Sequence, residues 1–142
     1  LNKVAEQLKI NLSKLITEKN AEVNFANLPT IMADDIQMMQ VFQNLVTNAI
    51  KYNNSEKPQV KIYSENKGTF VQISIADNGV GIPAEAREKV FEMFSRVENA
   101  SGADGTGIGL STVKNIIEKI KGKIWIESNE PHGSIFNILL KA

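Results

Sequence analysis

The chain contains no cysteine, which excludes a disulfide framework and any thiolate metal site. It also lacks an excess charge of either sign: 16 basic residues stand against 16 acidic ones. No basic field points to nucleic acid, and no like-charge run marks a tail. Apolar runs fall far short of the roughly 20 residues that span a bilayer, so no membrane contact by this domain is expected. The first ten residues, LNKVAEQLKI, are broken by a charge or amide every few positions, unlike a signal peptide. What is left is a chain of 142 residues, the size of a single domain spanning residues 1–142. A domain of this length buries roughly 68% of the surface its unfolded chain exposes, enough for a core without staples. The chain starts without Met and already in helical register, so it reads as a fragment of a longer protein.

Leu1, Val4, Ala5, Leu8, Leu12, Leu15 and Ile16 recur at spacings of three and four. This predicts one amphipathic helix ending near Asn20. Val23 and Phe25 alternate with polar residues in a short strand. Asp34 with Gln37 three positions later is a variant capping box, opening a helix that runs to about Tyr52. Val60 and Ile62 mark one strand, and Val71, Ile73 and Ile75 the next, joined through a turn at Gly68. Pro83 suits the first turn of a short helix leading to FEMF at Phe91–Phe94. Glu98–Thr106 (ENASGADGT) is polar and almost without apolar residues, and is expected to be a mobile loop. A helix from about Ile108 to Lys121 follows, with Leu110, Val113, Ile117 and Ile120 inward and Gly122 as its stop. Ile124 and Ile126 mark a strand; Phe136, Ile138 and Leu140 mark the last. Strands mostly adjacent in sequence, with helices interspersed, predict a two-layer α+β sandwich, one sheet under helices.

Three clusters carry chemistry. On the long helix, Asn44, Asn48 and Lys51 fall within about 60° of one another at 100° per residue, opposite Met38, Phe42, Leu45, Val46 and Ala49. They form either a solvated face or a ligand face. Two Asn at helix centre cost several tenths of a kcal/mol each in propensity. Their amide oxygens are hard ligands that Mg²⁺ accepts beside waters and phosphates, and Lys51 is one turn along, placed to meet a phosphate.

The second cluster is DNGVGI at Asp77–Ile82. Asp77 ends a strand of alternating apolar residues, so it is expected to be half buried and in need of partners. It either caps the Asn78-Gly79 turn or accepts the exocyclic amine of adenine, with Gly79 and Gly81 admitting the base edge. Guanine presents a carbonyl there and would be repelled. The third cluster, GTGIGL at Gly105–Leu110, precedes a helix. It is either a flexible approach to that helix or an anion cradle of unpaired N–H groups and helix dipole. It is not a Walker A loop, lacking G-K-[ST], nor the dinucleotide fingerprint, since a polar loop precedes it where a strand is required. Phe91 and Phe94 are most simply an anchor for the loop's base. Arg96 is either solvated or able to swing onto phosphates.

These residues resemble one family: the catalytic and ATP-binding domain of two-component sensor histidine kinases. That domain is shared in wider form with DNA gyrase, mismatch-repair ATPases and a heat-shock chaperone. QNLVTNAIKY resembles the N box, DNGVGI the first glycine box, FEMFSRV the F box, GTGIGL the second glycine box, and GSIF at Gly133–Phe136 the small final one. The resemblance covers nearly the whole chain. It implies the Bergerat ATP-binding fold, a mixed sheet of about five strands covered on one face by three helices, with a lid over ATP at about residues 95–106. It implies that Asn48 is the magnesium ligand with Asn44 supporting it, and that Lys51 and Arg96 contact phosphates. Tyr52 would lie near the base and Asp77 would read adenine. Gly79, Gly81, Ile82, Phe94, Gly105, Thr106, Gly107, Ile108, Gly109 and Leu110 would line the pocket.

The ATP-hydrolysing branches of that group, and related serine kinases, carry a glutamate about one turn before the metal-binding Asn. Here that place holds Asn44, which cannot take a proton. The reading is therefore a cytoplasmic histidine kinase domain that binds Mg-ATP. It would donate the γ-phosphate to a histidine on a separate dimerisation domain, upstream in the same protein, with a response regulator as the onward partner. Within this chain the only histidine is His132, in a Pro-His-Gly turn. The alternatives are a slow ATPase of the same superfamily and a non-catalytic nucleotide-binding module.

Overall fold

The computed structural model describes residues 2–26, 28, 34–51, 53, 57–79, 81, 107–129 and 133–141, with the backbone alone at 2, 3, 35, 51, 107–109 and 111. The elements are helices α1 (Asn2–Asn11) and α2 (Ser13–Lys19), strand β1 (Glu22–Phe25), helix α3 (Asp35–Lys51), strands β2 (Gln59–Lys67) and β3 (Phe70–Asp77), helix α4 (Gly107–Lys119), and strands β4 (Lys123–Ser128) and β5 (Ser134–Lys141). The short helix expected after Pro83, the FEMF segment, the polar loop and His132 lie outside the described residues.

The five strands form one sheet in the order β1-β2-β3-β5-β4. β1 runs parallel to β2, and the other neighbours are antiparallel. A parallel pair needs a crossover, and α3 supplies it between β1 and β2. The sheet is therefore mixed, as expected.

Period-two alternation sends Val60, Ile62, Val71, Ile73, Ile75, Phe136, Ile138 and Leu140 toward the helices. There they meet Val4 and Leu8 of α1, Met38, Phe42 and Leu45 of α3, and Val113 and Ile117 of α4 in one core. Each such side chain contributes roughly 1.5–3 kcal/mol by leaving water. α2 buries none of its residues.

The first helix is in two pieces where one was expected. Leu12 has φ −102° and ψ 9°, outside the helical range. Its N–H still bonds Leu8 O at 2.9 Å, and Ile16 N–H bonds Leu12 O at 2.9 Å. The bonds and the three–four apolar spacing survive the break, so the pattern carries no mark of it. α2 then ends on Asn20 at φ 54°, with Ala21 N–H on Ile16 O and Asn20 N–H on Thr17 O, a left-handed cap of the kind Asn tolerates.

α3 opens as its sequence predicts: Asp34 Oδ1 accepts from Ile36 N–H at 2.7 Å and Gln37 N–H at 3.3 Å. At the end of α4 the left-handed residue is Lys121 (φ 60°), not Gly122. Gly122 matters for space: a Cβ there would stand 2.7 Å from Leu139 O and 2.9 Å from Leu140 Cδ2. On the face away from the helices, Asn137 is only 1% exposed. Its Oδ1 accepts from Ser74 Oγ at 2.7 Å and Gln72 Nε2 at 3.1 Å, and its Nδ2 donates to Glu127 Oε1 at 3.0 Å. A fully satisfied buried amide of this kind locks β3, β5 and β4 in register.

Candidate nucleotide site

Asp77 is the last residue of β3 and shares the helix-facing side with Ile73 and Ile75. It is buried, 6% exposed. Its Oδ1 accepts from Gly79 N–H at 2.8 Å and from Ser134 N–H at 3.2 Å. The first is the turn bond and the second ties the carboxylate to the start of β5. No described residue donates to Oδ2. Burial pushes the carboxyl above its ordinary range, and the two backbone bonds pull against that shift. The turn-capping and ligand readings of Asp77 are thus compatible, because one oxygen serves the fold and the other is left for a donor.

Around it the backbone is held closely. Asn129 Nδ2 donates to Asp77 O at 2.6 Å, and Asn129 N–H bonds Gly133 O at 3.1 Å. Gly133, at φ +112°, lies so near that a Cβ would fall 2.0 Å from Asp77 O and 3.0 Å from Asn78 Cα. Gly81 at φ +79° would place a Cβ 3.3 Å from Gly133 O. The glycine of GSIF therefore exists to let β5 begin against the end of β3. Asn129 and the Ser134 amide escaped sequence reasoning; the only signal was the position of the GSIF box.

On α3, Asn44 and Asn48 are both half-buried, on the flank of the helix between its core side and solvent. Asn44 has a polar partner, whereas Asn48 makes no side-chain hydrogen bond to a described residue. Lys51 closes the helix. Among the described residues no three His, Cys, Asp or Glu side chains gather. A neutral amide oxygen on the half-buried flank of a helix fits a hard ion whose remaining ligands are phosphates and water.

Gly107, Ile108 and Gly109 form the first turn of α4, so two of the three glycines of GTGIGL lie inside the helix. Leu110 is buried in the core at 9% exposure. Tyr52, Ile82, Phe94, Arg96, Gly105 and Thr106 lie outside the described residues.

The geometry is that of an α+β sandwich with a buried carboxylate at the end of β3 and two half-buried amides on α3. The chain belongs to the Histidine kinase-, DNA gyrase B-, and HSP90-like ATPase family, whose model matches residues 33–142. It is 39% identical over 136 residues to the phytochrome-like protein Cph1 of Synechocystis, covering 96% of this chain and 18% of that one. The chain spans 16–19% of the length of the curated phytochromes it matches. In structure it resembles the nucleotide-free catalytic domain of histidine kinase ThkA, with TM-score 0.84 and 34% identity over 99% of this chain and 91% of that one. It also resembles ThkA in complex with the response regulator protein TrrA, with TM-score 0.78, 31% identity, and 99% and 40% coverage. The α+β fold is that of histidine kinase catalytic domains. No helix among the described residues is long and apolar enough to cross a membrane.

Proposed function

We propose that this domain binds Mg-ATP and presents its γ-phosphate to a histidine on a separate helical dimerisation domain of its parent, in the cytoplasm. A response regulator would be the next acceptor; the resemblance to ThkA, solved with such a partner, supports that step. The observation that carries the reading is Asp77: buried, with Oδ1 fixed by two backbone amides and Oδ2 without a donor among the described residues. Such an oxygen selects an amine-bearing base edge, because a carbonyl in the same place would meet a buried negative charge with none of the compensation it needs.

Asn48 would hold the magnesium ion, which when bound neutralises charge on the phosphates. Asn44 and Lys51 would orient the phosphate end, and Gly79 and Gly81 would let the base approach the backbone. Phosphoryl transfer rests on positioning and charge neutralisation, so the acceptor nitrogen must stand in line at roughly 3–3.5 Å. Asn44 offers no base to water, which disfavours rapid hydrolysis and makes the slow ATPase the weaker reading.

The test is incubation of the purified chain with γ-labelled ATP. The chain should stay unlabelled, and adding the histidine-bearing hairpin of its own parent should put acid-labile label on the hairpin alone. Label on the isolated chain that vanishes in His132→Ala would overturn the proposal.

A further inference from the structure

Asn78 stands directly after Asp77, yet its side chain looks the other way along the sequence. Its Oδ1 accepts from Asn53 Nδ2 at 2.6 Å and from Gln59 N–H at 2.8 Å, and its Nδ2 donates to Lys57 O at 3.3 Å. An Asn that only shapes its own turn bonds backbone groups a few residues away. These three partners lie 25, 19 and 21 residues distant. Asn53 and Lys57 belong to the passage between α3 and β2, and Gln59 opens β2. Asn53 comes two positions after Lys51, the last residue of the helix that carries Asn44 and Asn48.

Asp77, by contrast, is held from the opposite side. Ser134 N–H reaches its Oδ1 and Asn129 Nδ2 its carbonyl, both from the β4–β5 end of the sheet. Two neighbouring residues thus tie to two different parts of the fold. The carboxylate is anchored to β5, and the end of α3 is anchored to the residue beside the carboxylate.

We propose that Asn78 is the positioning residue that fixes the end of α3 relative to Asp77, so that one nucleotide engages the base site and the phosphate face together. The inference rests on the nucleotide reading above. A ligand with a base at one end and phosphates at the other gains from its second contact only in proportion to how well the two sites are held at the span of the ligand. Loosening that span leaves each contact intact and removes the gain.

The experiment is equilibrium titration of the purified chain and of Asn78→Ala with adenosine and with ATP in magnesium. Adenosine uses the base site alone, and Asp77 keeps its own anchors in the variant, so its affinity should stay within about twofold. The gain in affinity from adenosine to Mg-ATP should fall about tenfold. Asn53→Ala, which cuts the tie nearest α3, should lower the same gain by a smaller factor, and it carries the test if Asn78→Ala does not fold.

An unchanged gain with a lowered melting temperature would make Asn78 a structural bond only and overturn the inference. Equal losses for adenosine and Mg-ATP would place Asn78 in the base site and overturn it as well. Wild-type chain that binds no ATP would instead overturn the nucleotide reading itself, a result distinct from either.

Discussion

The two ends of the candidate site are built on opposite plans. At the base end, backbone amides of Gly79 and Ser134, the Asn129 amide and the close approach of Gly133 converge on one buried residue, Asp77. At the proposed phosphate end, two half-buried amides share one side of α3, and the Asn48 side chain has no hydrogen bond to a described residue. A carboxylate that must discriminate one base from another has to be held rigidly, since its selectivity depends on a lone oxygen's position. Groups that meet phosphates through a hydrated ion need only the right hardness and rough placement. The first plan spends packing and strain; the second spends almost none.

The largest expected effect breaks the base end. Gly133→Ala forces a Cβ to within 2.0 Å of Asp77 O at φ +112°. Overpacking costs roughly 1–3 kcal/mol, and the left-handed backbone roughly 1–2 kcal/mol more. Urea unfolding should show a loss of about 3 kcal/mol, with ATP binding lost alongside. Gly68→Ala is the control: φ is +85° but nothing lies within 4 Å, so only the backbone cost should appear. Equal losses at the two glycines would mean that β5 does not press on Asp77.

Next comes the carboxylate. A hydrogen bond to a charged group contributes roughly 1.5–3 kcal/mol, about ten- to a hundredfold in affinity. Asp77→Ala should weaken ATP binding by that factor, and wild type should reject GTP. Calorimetry that finds normal ATP binding would leave Asp77 as a turn residue.

The phosphate end should respond differently. Asn48→Ala should weaken ATP binding about tenfold in magnesium and little in EDTA, with unfolding free energy nearly unchanged, because its amide holds nothing else among the described residues. Equal loss in both buffers would remove Asn48 from the metal.

That contrast also explains what could be read from the sequence. The alternation of Val71, Ile73 and Ile75, the three–four spacing of Phe42, Leu45, Val46 and Ala49, and the Asp34 cap are local patterns, and each names its own element. Asn44 and Asn48 on one face of α3 follow from helix geometry alone. The base end is tertiary: Asn129 and Ser134 reach Asp77 across 52 and 57 residues. Nothing near Gly133 announces the backbone it must clear. The same holds for Asn137, whose place in the strand alternation predicts exposure, yet which is buried by its hydrogen-bonded neighbours. Gly122 was legible as a stop at the end of α4. Its reason was not: the left-handed turn falls on Lys121, and Gly122 is small because Leu139 and Leu140 lie against it.

The smallest effect is a slope rather than a loss, and it asks whether the base end stores strain. Burial raises the Asp77 pKa above its ordinary 3.8 despite the two amide bonds. In the unfolded chain the carboxyl ionises near that ordinary value, whereas in the folded chain it holds its proton to higher pH. Between the two, the unfolded state binds fewer protons, so stability falls as pH rises. The contribution is fully present below the unfolded pKa and is gone above the folded one. Asp77→Asn removes the titration while leaving an oxygen to accept from Gly79 and Ser134. The unfolding free energy of Asp77→Asn relative to wild type should therefore climb as pH rises from below 4 and level off once pH has passed the raised folded pKa. The same variant should bind ATP poorly. With its oxygen on the amides, its NH₂ faces the amine of adenine; turned over, that NH₂ faces the amides instead. A variant more stable at neutral pH and weaker for ATP would mark Asp77 as a residue kept at a cost to the fold. A flat difference across pH would mean that the carboxylate is not desolvated, and the contrast between the two ends of the site would lose its physical basis.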